Sequence, residues 1–162
     1  MPFTVTYPKT EPGQSELLQA LLEPTGSAGW AADATAFGIK RESGEITAAA
    51  VFQHFAGREA EMHFAILDGT PMTAKHIKAL ELAAFHPRAL ALEKVWIPIA
   101  ESNRSAMRAA ITAGFAFEHR KRAGSSGTDD AIVLSMTREM AGKVTARPQT
   151  MKSAPETRAE GV

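Results

Sequence analysis

Apolar and polar residues alternate from Phe3 to Pro8, which predicts a short strand, and the turn-rich stretch Lys9–Gln14 breaks it. Ser15–Leu22 then carries Leu17, Leu18, Leu21 and Leu22 on one side, the pattern of a short helix that Pro24 stops. Three strand candidates follow at Ala36–Arg41, Ile46–Phe55 and Ala60–Leu67. Ser43-Gly44 and the connection Ala56–Glu59 are short enough to close antiparallel hairpins. The period then changes. Thr73–Phe85 reads as a helix with Ile77, Leu80 and Ala84 on one face, ended by Pro87. Lys94–Ala100 is a strand, and Ser102-Asn103 are good N-cap types for a helix over Ser105–Ala113. That helix has Met107, Ala110 and Ile111 at core spacing, and Gly114 sits where a left-handed cap is expected. Phe115–Lys121 and Ala131–Met136 form a last hairpin around the loop Gly124–Asp129.

The order β-α-β-β-β-α-β-α-β-β places antiparallel hairpins on either side of one β-α-β unit. It predicts an α+β fold rather than a doubly wound parallel sheet. Residues 142–162 are polar, hold two prolines and lack periodicity, so a disordered polar tail is expected after a domain spanning 1–141.

Composition removes several function classes. The chain contains no cysteine, which excludes disulfides, thiolate catalysis and cysteine-ligated zinc. Its five histidines lack ligand spacing, so no metal is expected. The formal net charge of zero gives no electrostatic reason for a nucleic-acid partner. No apolar run approaches the roughly 20 residues of a membrane span, and the N-terminus lacks the features of a signal peptide. The cytoplasm is the expected compartment.

The second half carries a recognisable pattern: the strand Val95–Ala100, then Asn103-Arg104-Ser105-Ala106, then Ala113-Gly114-Phe115, Phe117-Glu118 and Arg120. This stretch, with the closing strand in Asp129–Met140, resembles the GNAT superfamily of N-acetyltransferases. The resemblance is to the group that acetylates ribosomal-protein N-termini and its phage-encoded relatives. It implies a mixed central sheet with helices on both faces and two central parallel strands that splay apart around acetyl-CoA. It also implies an amine acceptor, which is a protein N-terminus, a small amine or a modified base, and leaves room for a homodimer. Pro98 lies inside the strand expected to have one unpaired side, where a missing N–H is tolerated.

The resemblance further assigns residues. Asn103 and Ser105 fall on the cofactor path, and the backbone amide near Ile99 becomes the polariser of the thioester carbonyl. The family's glycine-rich pyrophosphate loop is replaced by Leu67–His76, with Gly69 alone and Pro71 lacking an N–H. The cofactor is then held by fewer amides, among them those of Thr73, Ala74 and Lys75, or the site has lost it and the domain serves as a binding module, such as a phage-type effector. The tyrosine that many members use as general acid is Ala110 here.

Acetyl transfer to an amine needs a base for the ammonium proton. If the Ala56–Glu59 connection sets the register, His54 faces Glu61 and Phe52 faces His63, placing these four residues on one face. Val51, Gln53, Phe55, Met62 and Phe64 then occupy the other, more apolar face. Glu61 is the expected base, in the family's position on the fourth strand, with His63 as its rival.

Overall fold

The computed structural model describes residues 4–6, 13–71, 73–123 and 129–145. The strands are β1 (Thr4–Thr6), β2 (Thr35–Lys40), β3 (Ile46–Ala56), β4 (Glu59–Ile66), β5 (Lys94–Ala100), β6 (Ala116–Lys121) and β7 (Ala131–Thr137). The helices are α1 (Gly13–Ala20), α2 (Leu22–Thr25), α3 (Ala74–Phe85), α4 (Arg104–Ala113) and α5 (Arg138–Thr145). The strands form one mixed sheet ordered β1-β2-β3-β4-β5-β7-β6. All pairings are antiparallel except β4 with β5. The α+β expectation holds, with hairpins flanking β4-α3-β5.

Local chemistry explains the boundaries. The Leu-rich helix ends at Ala20, two residues earlier than the pattern predicts, and Pro24 is accommodated in a separate turn of helix. Gly26 ends that turn at φ 73°, a conformation glycine adopts without a Cβ clash. In α4, the Asn103 side chain accepts from the Ala106 N–H, and Gly114 closes the helix at φ 114° with its N–H on the Ala110 and Ile111 carbonyls. Helix α5 covers positions 138–145, where sequence predicts no helix: the last strand is expected to end at Met136 and the polar tail to begin at 142. The remaining positions of the predicted tail lie outside the described residues, as do the outer parts of the first predicted strand and most of the Gly124–Asp129 loop.

Two apolar cores sandwich the sheet. The larger, under α3 and α4, includes Phe37, Phe52, Met62, Ile77, Leu80, Val95, Ile97 and Leu134. Phe37 and Phe52 meet edge to face at 5.7 Å. The smaller core packs Leu17 and Leu21 on Ala36, Ala49, Val51 and Ala65. Helices therefore lie on both faces. Helix α4 turns a stripe of alanines, Ala106, Ala109, Ala110 and Ala113, into the core. Ile111, expected inside, is 55% exposed. Small side chains let this helix approach α3 closely.

Strands β4 and β5 pair only where Glu59, Ala60 and Glu61 face Lys94, Val95 and Trp96. Beyond that point β4 continues beside β3 and β5 beside β7, and the two part. The ladder itself supplies the cause. In a parallel ladder of this register, the next bond runs from the N–H of residue 98 to the Met62 carbonyl. Residue 98 is proline and has no N–H to give. The β7 side is undisturbed: Glu101 N–H donates to the Asp130 carbonyl and Arg138 N–H to the Glu93 carbonyl. That parity turns odd-numbered residues of β5 toward β7 and even-numbered ones, Pro98 included, toward β4.

Candidate active site

Glu61 sits at the point where β4 and β5 separate. The expected register holds at the turn, where Ala56 pairs with Glu59, but slips by one residue before Gln53. A bulge takes up the extra residue, with His54 at φ 56°, uncommon for a residue with a side chain. Gln53, not His54, therefore stands opposite Glu61, and Val51, not Phe52, opposite His63. A one-residue slip exchanges faces. Phe52 goes into the α3/α4 core, and Gln53 joins Glu61 and His63 on the α1 side. The bulge is held from outside the strand: Asp33 accepts from the N–H groups of His54 (3.0 Å) and Phe55 (2.8 Å). Those bonds hold the Asp33 carboxyl below its ordinary range.

The side chains converge on one carboxylate oxygen. Glu61 Oε2 accepts from His63 Nε2 in a short hydrogen bond and from Gln53 Nε2 at 3.1 Å. Gln53 Oε1 in turn accepts from the Ala31 N–H at 2.8 Å. Trp30 lies against His63, ring centroids 5.6 Å apart, and its indole N–H donates to the Leu18 carbonyl. The His63 bond, ahead of the opposing effect of burial, holds the Glu61 carboxyl down at about 2. Glu61 is thus a fixed negative charge at neutral pH. It keeps the proton of the neutral imidazole on Nε2 and leaves the Nδ1 lone pair as the acceptor.

The residues expected to hold acetyl-CoA divide into those whose backbone faces the gap and those whose does not. Ile99 is opposite Ile132 of β7, and its side chain is buried in the core. Ladder parity turns its amide toward β7, so the expected polariser at Ile99 is corrected. On β4 the Leu67 N–H donates to the Thr47 carbonyl, which sets odd residues toward β3. Phe64 and Ile66 therefore direct their backbone groups into the gap.

Beyond the open end of the gap, α3 and α4 begin. Thr73 is spent on the fold: its N–H donates to His76 Nδ1 at 3.2 Å, and its hydroxyl lies 2.9 Å from the same nitrogen. Ala74 and Lys75 occupy the first turn, where amides have no intrahelical acceptor. Asn103 spends its carbonyl oxygen on the α4 cap, while Ser105 is exposed in the first turn. In place of a glycine-rich loop, Asp68 folds the chain by accepting from the Thr70 N–H and hydroxyl, and it pairs with Arg41 at 2.6 Å. The gap fits the arm of acetyl-CoA, whose amides can bond an unpaired strand edge. The phosphate end fits less well, since Asp68 already takes the Thr70 amide and Pro71 has no N–H to offer.

Gln53, Trp30 and Asp33 were not picked out by sequence reasoning as functional. The signals existed: a glutamine inside an apolar strand and a lone tryptophan in a loop of small residues. Two broad depressions of the surface lie away from the pair, one against α5 and one on the outer face of α4.

A splayed β4/β5 pair, a following helix on each strand and an antiparallel β6–β7 hairpin define the architecture. The chain has the GNAT acetyltransferase fold. A spermidine/spermine N-acetyltransferase, SpeG, from Vibrio cholerae in complex with manganese ions has the same fold with a TM-score of 0.69 at 14% identity, over 89% of this chain and 97% of that one. A Vibrio cholerae protein provisionally named a ribosomal-protein-serine acetyltransferase matches with a TM-score of 0.51 at 23% identity, over 65% of each chain. No protein-family model matches the sequence, and no curated protein matches it. Among the described residues, no group of three or more His, Asp or Glu could hold a metal ion. No described helix is long and apolar enough to cross a membrane.

Proposed function

We propose that the protein is an acetyl-CoA-dependent N-acetyltransferase acting on an amine, either a small molecule or a peptide N-terminus. The observation that carries this reading is the hydrogen-bonded Glu61–His63 pair at the point where β4 and β5 part. Acetyl-CoA, when bound, supplies the activated acyl group. Phe64 and Ile66 offer strand-edge groups to its arm, and Ala74, Lys75 and Ser105 offer first-turn amides near its phosphates. His63 Nδ1 takes the proton of the attacking amine, and Glu61 orients the ring and stabilises the resulting imidazolium. Ala110 is buried in α4, so the chain offers no tyrosine there as acid for the leaving thiolate.

Saturable thermal stabilisation by acetyl-CoA, together with acetylation of a polyamine or peptide panel, tests the reading. The Asp68–Arg41 pair at the start of α3 favours one alternative, a GNAT-fold binding module without catalysis. Absence of any shift at millimolar acetyl-CoA would establish that alternative.

A further inference from the structure

Gln53 is 6% exposed in a strand whose other buried residues, Thr47 apart, are apolar, and both ends of its amide are engaged. The Ala31 N–H holds Oε1, so the amide cannot turn over, and Nε2 must face Glu61. Two donors, Gln53 and His63, then share Glu61 Oε2 and fix the carboxylate between them. The same stretch of chain, Trp30–Asp33, is fastened a second time where Asp33 holds the two bulge amides. Its Trp30 covers His63. Loop, bulge and catalytic pair are thus joined through one side chain.

We propose that Gln53 is a positioning residue that couples docking of the Trp30–Asp33 loop to alignment of the Glu61–His63 pair. It acts through Glu61 and takes no part in proton transfer itself. The one-residue bulge in β3 is what makes the coupling possible, because without it His54 would stand at this position. The effect on rate rests on the acetyltransferase reading given above; the coupling of loop to carboxylate does not.

Two substitutions separate the contributions. Gln53→Leu removes both hydrogen bonds. Gln53→Glu keeps an acceptor for Ala31 but sets a second carboxylate against Glu61, and it donates again only when protonated. Gln53→Leu is expected to lower kcat roughly 10- to 100-fold, the scale of a misplaced catalytic group, with KM for acetyl-CoA unchanged. Gln53→Glu should show a similar loss at about pH 8, and its rate relative to wild type should rise as pH falls toward about 6. Trp30 accessibility to acrylamide, read by fluorescence in a Trp96→Phe background used for this purpose only, should rise in Gln53→Leu and change little in Gln53→Glu. Gln53→Met replaces Gln53→Leu if the latter does not fold. A wild-type kcat in Gln53→Leu, or a rate ratio for Gln53→Glu that does not vary with pH, would overturn the proposal. If the wild-type protein transfers no acetyl group, the function reading has failed and the quenching arm decides the coupling alone: raised Trp30 accessibility in Gln53→Leu supports it, and unchanged accessibility overturns it.

Discussion

A carboxylate held at about 2 is a poor acceptor for an ammonium proton, and in the proposed reaction this leaves the proton to His63 and the orienting role to Glu61. Glu61→Gln keeps the shape but removes the charge that sets the imidazole tautomer. It should lower kcat by about 10²- to 10⁴-fold, the range of general acid–base contributions, while acetyl-CoA binding measured by calorimetry stays intact. An unchanged rate would remove Glu61 from the mechanism. Stability offers a second check. The folded carboxyl is depressed from 4.5, so its contribution is complete above about pH 4.5 and disappears as pH falls through about 2. The pair is partly exposed, with side chains 18% and 25% accessible, so this contribution is on the order of 1–2 kcal/mol. Glu61→Gln should therefore be less stable at neutral pH and show a flatter loss of stability between about pH 4.5 and 2, read by urea unfolding.

Within helices, the same questions separate support from chemistry. Asn103→Ala removes the α4 cap and should cost about 1 kcal/mol in unfolding free energy. If the cap is its whole role, acetyl-CoA affinity will be unchanged; a parallel loss of affinity would restore the cofactor contact that the family resemblance implies. Helix α3 buries Glu81 with Oε2 lacking a hydrogen-bond partner among the described residues. Burial pushes this carboxyl up to about 8, against the opposing charge of Lys78. A raised pKa means stability is full below about pH 4.5 and is lost as pH rises through about 8. Glu81→Gln should remove that slope and raise the melting temperature at about pH 8 by several degrees. Most helices and strands were legible in the sequence, because period and caps are local: Gly114 and Asn103 do what their positions announce, whereas α5 lies where the sequence predicts no helix. The hairpin register was not. It depends on a bulge held by Asp33, more than 20 residues away in the chain, and no local pattern carries that information. Glu61 and His63 still stand together because alternation along β4 puts them on one face whatever the register; their neighbour Gln53 was hidden by the slip.

For the molecule as a whole, the consequential feature is the opening between β4 and β5, and Pro98 makes it legible in advance: one missing donor interrupts a parallel ladder whose flanks on β3 and β7 remain complete. This predicts an alternating signature for cofactor binding. Odd-numbered β4 amides, His63 and Ala65, are committed to β3 and exchange slowly with or without ligand. Even-numbered Phe64 and Ile66 face the opening. Acetyl-CoA lying along that edge should slow their exchange selectively, with little change at His63 and Ala65, as read by amide-resolved hydrogen exchange. Uniform protection of all four residues would mean global stabilisation without occupancy of the gap. Protection confined to the first turns of α3 and α4 would mean that phosphates bind there while the arm lies elsewhere. The proposed transfer reaction requires the alternating pattern, because only an arm in the gap brings the acyl carbon beside His63, on the strand that the ladder leaves open.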